Sequence, residues 1–157
     1  MSIAKAVTHT LKLYEDQFNA QVVDVWERSV RSTHHFLDPR DIDHYKRVVT
    51  RIDFHAFPVY CLMERDAVIG FIGICDQKIE MLFVDPRYIG QGHGKTLLLF
   101  ALNDHGAERV DVNEQNTRAV EFYKGFGFET YDRLERDHED KPYPILKMKL
   151  VQGTAAQ

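Results

Sequence analysis

The chain has 157 residues, of which 44% are hydrophobic and 28% are charged, and its formal net charge at pH 7 is −4. This length predicts a core large enough to need no metal or disulfide staple. The acidic balance argues against nucleic acid as the main partner. No apolar run reaches about eighteen residues and no signal-peptide core is found, so we expect a cytoplasmic protein with no membrane segment.

The first half of the chain predicts one strand, two helices and three further strands. A short strand is expected in HTLKLY. Apolar residues at helical spacing predict a helix in DQFNAQVVDVWERSV, capped by Asp16, and another in PRDIDHYKRVVTRI. The β-rich runs PVYCLMER, AVIGFIGICD and KIEMLFVD are separated by short polar breaks, which predict an antiparallel meander. Cys61 and Cys75 lie inside these runs and are expected to be buried reduced thiols.

The second half of the chain continues the mixed pattern. KTLLLFALNDH predicts a buried helix that stops at Gly106, AERVDVNE predicts a strand, and NTRAVEFYKGF predicts a helix that ends at Gly127. FETYDRLER and YPILKMKLV predict two closing strands. The fold class is therefore α/β (α+β), with a mixed central sheet of about six to seven strands flanked by about four helices. We expect a single domain over residues 1–151 and a frayed tail over residues 152–157.

A glycine-rich stretch, GQGHGKT, stands between the third β-rich run and the following helix. Gly90, Gly92 and Gly94 alternate, which keeps the main chain open to approach. A Walker A loop would need glycine at Ile89, and the dinucleotide motif G-x-G-x-x-G would need one at Lys95. What remains is a helix N-terminus with unpaired N–H groups, which suits a pyrophosphate. The alternative is a turn that only connects strand and helix.

A second constellation lies further downstream, in VNEQNTRAVEFYKGFGF. Asn116 is a natural N-cap, and Tyr123 returns to nearly the same helix face, so both are expected to face one cleft. A tyrosine, with an ordinary pKa of about 10, can give a proton to a leaving thiolate of comparable basicity. The alternative for Tyr123 is an aromatic ring that only packs against the sheet.

Together, LFVDPRYIGQGHGKTLL and VNEQNTRAVEFYKGFGF resemble the GNAT family of acetyl-CoA-dependent N-acetyltransferases, whose pattern is Q/R-x-x-G-x-G/A and then N-x-x-A-x-x-F-Y-x-x-x-G-F. WERSVRSTHHFL and DKPYPILKM resemble a small bacterial subgroup of sparsely characterised members. The resemblance implies the GNAT fold. The second motif matches at Asn116, Ala119, Phe122, Tyr123, Gly127 and Phe128.

The first GNAT motif can be registered in two ways. One register places Ile89 at the Gln/Arg position and His93 where the family usually has an aliphatic residue. The other register places Arg87 at the Gln/Arg position. The first is preferred because it keeps the usual distance to the helix. It removes one side-chain contact to phosphate and leaves the main-chain donors in place.

The resemblance also implies a division of labour among the residues. An acetyl group would pass from acetyl-CoA, the co-substrate, to a primary amine by direct attack in a ternary complex. Asn116 would bind the cofactor arm and Tyr123 would protonate the departing CoA thiolate. The main-chain groups that would pair with pantetheine belong to Leu82, Phe83 and Val84. The pyrophosphate would be held by Gly90, Gln91, Gly92, His93, Gly94 and Lys95.

The acceptor side carries weaker signals. Glu80 is the candidate base, and the alternative is a surface glutamate. The resemblance places the acceptor pocket near His34 and His35, where His34 is an alternative base and packing or capping is the other interpretation. Tyr143 is expected to line that pocket, although the neighbouring prolines also fit an edge-strand break. No third ligand accompanies His34 and Asp38, so no metal is expected.

Two functions of different class stay open on the sequence. The first is an enzyme whose acceptor is a small-molecule, peptide or protein amine, with a homodimer compatible with the sequence. The second is a non-catalytic acyl-CoA-binding sensor. Ile89 favours the sensor because it weakens the cofactor motif. Tyr123 favours the enzyme because a pure binder needs no acid at that position.

Overall fold

Seven strands and four α-helices follow one another in this computed structural model, which describes residues 8–151. The predicted frayed tail, residues 152–157, lies outside the described residues. The strands are β1 His9–Leu13, β2 Val59–Glu64, β3 Ala67–Cys75, β4 Lys78–Val84, β5 Arg109–Asn113, β6 Phe128–Leu134 and β7 Ile145–Leu150. The helices are α1 Asn19–Thr33, α2 Pro39–Thr50, α3 His93–His105 and α4 Thr117–Gly125.

The strands form one mixed sheet in the order β1-β2-β3-β4-β5-β7-β6. All neighbouring strands pair antiparallel except β4 and β5, which are parallel. The predicted meander of β2, β3 and β4 is therefore confirmed, as is the mixed sheet with four helices. The parallel pair arises because α3 forms the crossover between β4 and β5.

Both faces of the sheet are covered, so the molecule has two cores. One face packs against α1 and α2 around Trp26 and Phe71. The other packs against α3 and α4 around Leu97 and Met148. Burial on both faces explains why β3 reads as an almost continuous apolar run rather than an alternating one. Helices α1, α2 and α4 were recognisable from sequence because each buries an apolar stripe, whereas α3 was recognisable as an apolar run.

A β-bulge interrupts β4 at Glu80. Ile74 of β3 pairs with Ile79, and the preceding Gly73 pairs with Met81, so Glu80 has no partner on β3. Ile79 packs with the α3 and α4 core, whereas Met81 packs with the α1 and α2 core. Residues two apart on a regular strand share a face, so the bulge reverses the faces of β4 beyond Glu80.

The parallel pairing of β4 with β5 ends where the bulge begins. Only two residue pairs join the strands, Lys78 with Arg109 and Ile79 with Val110. Beyond Ile79 the strands part, and residues 80–84 of β4 have no β5 partner. A wedge-shaped gap therefore opens in the middle of the sheet, with exposed main-chain groups along one wall.

Three local predictions need correction. Asp16 does not cap α1, because it begins a 3-10 turn over Asp16–Phe18 and its Oδ1 lies 2.6 Å from His55 Nε2. Cys61 is buried as expected, but Cys75 is only half-buried because it ends β3 beside a tight turn. Helix α3 begins at His93, two residues before the predicted start.

Asp85 fastens α1 to the end of β4. Its carboxylate is fully buried and accepts hydrogen bonds from Arg28 Nη2 at 2.8 Å and from Arg87 Nη2 at 2.7 Å. Burial alone would raise the pKa of Asp85, but the hydrogen bonds from Arg87 and Arg28 outweigh it and lower the pKa to about 2. The ionised carboxylate therefore stabilises the end of β4 that borders the gap.

We expect Asp85→Asn to lower the free energy of unfolding at pH 7 by about 2 kcal/mol, because the ionised form is the one the arginines stabilise. A lowered pKa gives stability that is present above the unfolded pKa of about 4 and is lost as pH falls toward about 2. The difference in free energy of unfolding between wild type and variant, measured in urea, should therefore shrink to zero over that pH range. Asp104→Asn, at an exposed position of α3, is the control and should change stability by less than about 0.5 kcal/mol.

Candidate active site

The gap between β4 and β5 is the mouth of a cleft of about 650 Å³. Its walls come from the parted strands, the C-terminal end of α1, the glycine stretch with the first turn of α3, and α4 from Thr117 to Tyr123. The sheet thus brings together two segments that the sequence singled out separately, GQGHGKT and NTRAVEFY. The cleft reaches both and continues to the end of α1.

The glycine stretch presents main-chain donors to the cleft. Gly90 has φ 84° and Gly92 has φ 82°, and a Cβ at either position would meet nothing within 4 Å. The main chain is therefore approachable at both positions, which require glycine for their conformation. The first helical hydrogen bond runs from Thr96 N to Gly92 O at 3.0 Å. The N–H groups of residues 93–95 precede that bond and point out of the N-terminus of α3, as an anion requires.

The geometry favours the register with Ile89 at the Gln/Arg position. The Arg87 guanidinium donates hydrogen bonds to Asp85, from Nε at 3.1 Å and from Nη2 at 2.7 Å. Arg87 is not one of the residues that line the cleft. Ile89 does line it and is 39% exposed. Gln91, a predicted cofactor-binding residue, is exposed and lies outside the lining. Neither Ile89 nor Gln91 therefore offers the cleft the basic or amide side chain that the family pattern has at the Gln/Arg position.

His93 contributes to the cleft through its main chain while its ring lies beneath the loop. The side chain is buried, with ring centroids 4.6 Å from His9 and 6.3 Å from Tyr88. Burial, aided by the nearby His9, lowers the pKa of His93, and its Nε2 is buried without a hydrogen-bond partner. A neutral imidazole therefore takes the core position that the resemblance assigns to an aliphatic residue.

Asn116 and Tyr123 lie in the lining of the same cleft. The predicted N-cap is confirmed, because Asn116 Oδ1 accepts a hydrogen bond from Ala119 N at 3.3 Å. The Tyr123 ring is 6% exposed and packs against Phe122 and Phe128, with centroids 5.2 Å and 5.5 Å away. Burial raises the pKa of Tyr123. The packing interpretation thus holds for the ring, and the phenol stays protonated across the neutral range.

Two carboxylates, Glu80 of β4 and Asp111 of β5, line the cleft from the two parted strands. Glu80 lies exposed in the bulge of β4 and makes no side-chain hydrogen bond or ion pair with a described residue. Asp111 of β5 is 2.9 Å from Lys78 Nζ and 3.0 Å from His138 Nε2. Burial raises the pKa of Asp111, but those two partners outweigh it and lower the pKa. The Asp111 carboxylate is thus paired with Lys78 and His138, whereas the Glu80 carboxylate is available to contact a ligand.

The C-terminal end of α1 supplies the remaining wall. His34 and His35 both line the cleft, together with Thr33. Tyr143 does not: it is buried, and its hydroxyl donates to Asp41 Oδ2 at 2.5 Å and accepts from the Asp38 N–H at 3.0 Å. The expectation that Tyr143 lines the pocket is therefore wrong. Its hydroxyl is held by the N-terminus of α2, so it braces the connection between α1 and α2.

Within residues 8–151, no group of three or more His, Cys, Asp or Glu side chains is placed to hold a metal ion. Over the same residues, no helix combines the length and the apolar character needed to cross a bilayer.

The family model described as acetyltransferase (GNAT) domain matches residues 24–151. The matched residues include both motifs and all four walls of the cleft. The chain therefore belongs to the GNAT acetyltransferase family, as the two sequence motifs had indicated.

Its relatives include two bacterial enzymes of one name. The chain is 37% identical over 131 residues to peptidyl-lysine N-acetyltransferase YjaB of Escherichia coli, covering 83% of this chain and 89% of that protein. It is 36% identical over 128 residues to peptidyl-lysine N-acetyltransferase YjaB of Salmonella typhimurium, covering 82% and 88%. The chain is thus similar to a small bacterial subgroup along most of its length.

Solved structures agree with the fold. The solution structure of apo-form YjaB from Escherichia coli superposes with a TM-score of 0.83 at 34% identity, covering 92% of this chain and 98% of that one. PaiA N-acetyltransferase from Thermoplasma acidophilum, solved in complex with coenzyme A, gives a TM-score of 0.72 at 21% identity, covering 90% and 99%. The second comparison bears on the fold alone.

Proposed function

We propose that this protein transfers the acetyl group of acetyl-CoA to the side-chain amine of lysine in a peptide or protein. The observation that carries the proposal is the cleft itself, which combines free main-chain donors, a protonated phenol and an uncommitted carboxylate between two parted strands. Lysine is the preferred acceptor because the curated relatives that cover most of the chain are named peptidyl-lysine N-acetyltransferases.

Two parts of the cleft fit coenzyme A. The N–H groups of residues 93–95 suit its pyrophosphate, because they are unpaired at the N-terminus of a long helix. The β4 edge from Leu82 to Val84 lacks a β5 partner, so its main-chain groups suit the amides of the pantetheine arm. Asn116 lies beside this edge in the lining and offers an amide to the same arm.

Tyr123 and Glu80 supply the reacting groups. Acetyl-CoA supplies an activated thioester, and the amine takes the acetyl group by direct attack in a ternary complex, a reaction that depends on alignment. Tyr123 delivers a proton to the departing thiolate. Its raised pKa keeps the phenol protonated in the free enzyme and also makes it a weaker acid than an ordinary tyrosine. Glu80 removes a proton from the amine, which its free and exposed carboxylate allows.

Incubation of the protein with acetyl-CoA and lysine-containing peptides tests the function. We expect release of free CoA thiol together with acetylated lysine detected by mass spectrometry. Thermal stabilisation by acetyl-CoA without thiol release for any amine would instead support the non-catalytic sensor. A cytoplasmic location and a homodimer stay predictions, which cell fractionation and light scattering would test.

We expect Gly92→Ala to weaken coenzyme A binding about tenfold. Alanine disfavours the φ of 82° at this position by about 1–2 kcal/mol, so the loop relaxes and binding has to restore it. Titration calorimetry with coenzyme A measures the change directly.

Gly125→Ala is the matched control for this prediction. Gly125 ends α4, has no positive φ, and has room for a Cβ, with nothing within 4 Å. It should bind coenzyme A as wild type does. Equal affinities for the two variants would show that the glycine stretch does not hold the pyrophosphate.

A further inference from the structure

The His34 ring has one bonded nitrogen and one open nitrogen. Nδ1 lies 2.7 Å from Thr33 Oγ1. Nε2 makes no hydrogen bond to a described residue, and it is not among the buried nitrogens that lack a partner. Nε2 therefore keeps some solvent exposure, and His34 is one of the residues that line the cleft. The ring centroid is 5.3 Å from that of Phe36, which limits rotation of the imidazole.

A neighbouring hydrogen bond decides which nitrogen carries hydrogen. Thr33 Oγ1 lies 2.7 Å from the main-chain oxygen of Ser29. A carbonyl oxygen only accepts and a hydroxyl has one hydrogen, so Thr33 donates to Ser29 and accepts from His34 Nδ1. The opposite assignment would leave two oxygens at 2.7 Å with no hydrogen between them. The hydrogen of the neutral ring is therefore on Nδ1, and the lone pair is on Nε2.

The ring is also neutral in the physiological range. Burial, together with the charge of neighbouring His35, lowers the pKa of His34 to about 4. The lone pair on Nε2 is present above that pH and is lost only as pH falls through about 4. Across the physiological range His34 therefore offers a hydrogen-bond acceptor at Nε2.

We propose that His34 Nε2 accepts a hydrogen bond from the lysine amine and orients it, while Thr33 is the positioning residue that fixes the tautomer. The proposal rests on the proposed function, because it places an amine acceptor in this cleft. A neutral acceptor suits a cationic ligand, since an imidazolium would repel it. The work is then divided: His34 aligns the amine, and Glu80 takes its proton.

Nitrogen-resolved NMR of the histidine rings tests the tautomer without any reaction. In wild type and in Thr33→Ser we expect a protonated Nδ1 and an unprotonated Nε2 on His34. Thr33→Val removes the oxygen that accepts from Nδ1, so the tautomers should mix. A protonated Nε2 on His34 in the wild-type protein would overturn the proposal, whatever the variants do.

Addition of Nα-acetyl-lysine amide to the protein with coenzyme A tests the amine contact. No acetyl group is present, so no transfer occurs. We expect the His34 Nε2 signal to move and to saturate, whereas the rings of His55 and His105, outside the lining, stay unchanged. An unmoved His34 signal at saturating amine would refute the contact. A moving signal in a protein that acetylates no amine would contradict the proposed function and leave the contact standing.

Steady-state kinetics distinguish a His34 that orients the lysine amine from a His34 that only supports the fold. His34→Leu should raise the KM for a lysine peptide about tenfold or more, because one hydrogen bond to a charged group is lost. His34→Gln keeps an acceptor near the Nε2 position and should recover much of that loss. Affinity for acetyl-CoA should be unchanged in both His34 variants. The control variant His55→Gln should likewise bind acetyl-CoA as wild type does. An unchanged KM in an active His34→Leu enzyme would disprove the role.

Discussion

Tyr123→Phe is expected to lower kcat for acetyl transfer by about 10²- to 10⁴-fold, the range that a positioned general acid contributes. The variant loses the hydroxyl and keeps the ring, so its packing against Phe122 and Phe128 survives. Affinity for acetyl-CoA should therefore stay within about twofold of wild type, since no contact of the pyrophosphate is altered. Single-turnover kinetics with a lysine peptide and calorimetry with coenzyme A measure the two quantities.

The pH dependence of that reaction carries a second expectation. Because burial raises the pKa of Tyr123, the phenol keeps its proton well into the alkaline range. The wild-type rate should accordingly show no loss from phenol ionisation near neutral pH. Tyr131→Phe, on the exposed face of β6, controls for loss of a phenol elsewhere and should match wild type. Unchanged turnover in Tyr123→Phe would remove this residue from the acid role.

The fold was predictable because its local signals agree with its packing. Helices α1, α2 and α4 each bury an apolar stripe at helical spacing, α3 is an apolar run, and the turns between β2, β3 and β4 are short and polar. The bulge at Glu80 was not predictable. It depends on how β4 pairs with β3, and no residue type in KIEMLFVD marks it. The gap, which creates the cleft, is therefore a property of pairing rather than of local sequence.

The site was predictable where function depends on local conformation. The cap at Asn116 follows from local helix chemistry, so the sequence was enough. Prediction failed where side chains choose between distant partners. Tyr143 bonds to Asp41 and to the main chain of Asp38 at the start of α2 instead of lining the cleft.

Glu80→Gln is expected to lower kcat by about 10²-fold or more and to remove the acidic limb of the pH–rate profile. Glutamine keeps the size of the side chain in the bulge, so the course of β4 should not change. A limb that persists near about pH 4 in this variant belongs to His34, whose pKa is about 4, and His34→Gln should remove it from the double variant.

Glu129→Gln, an exposed glutamate on β6, is the matched control and should leave rate and profile as in wild type. The result that would contradict the base assignment is a Glu80→Gln enzyme with an unaltered profile. The proton of the amine would then leave through water. Because Asp111 is held by Lys78 and His138, Asp111→Asn should loosen the base of the gap and destabilise the protein without reproducing the loss of the acidic limb.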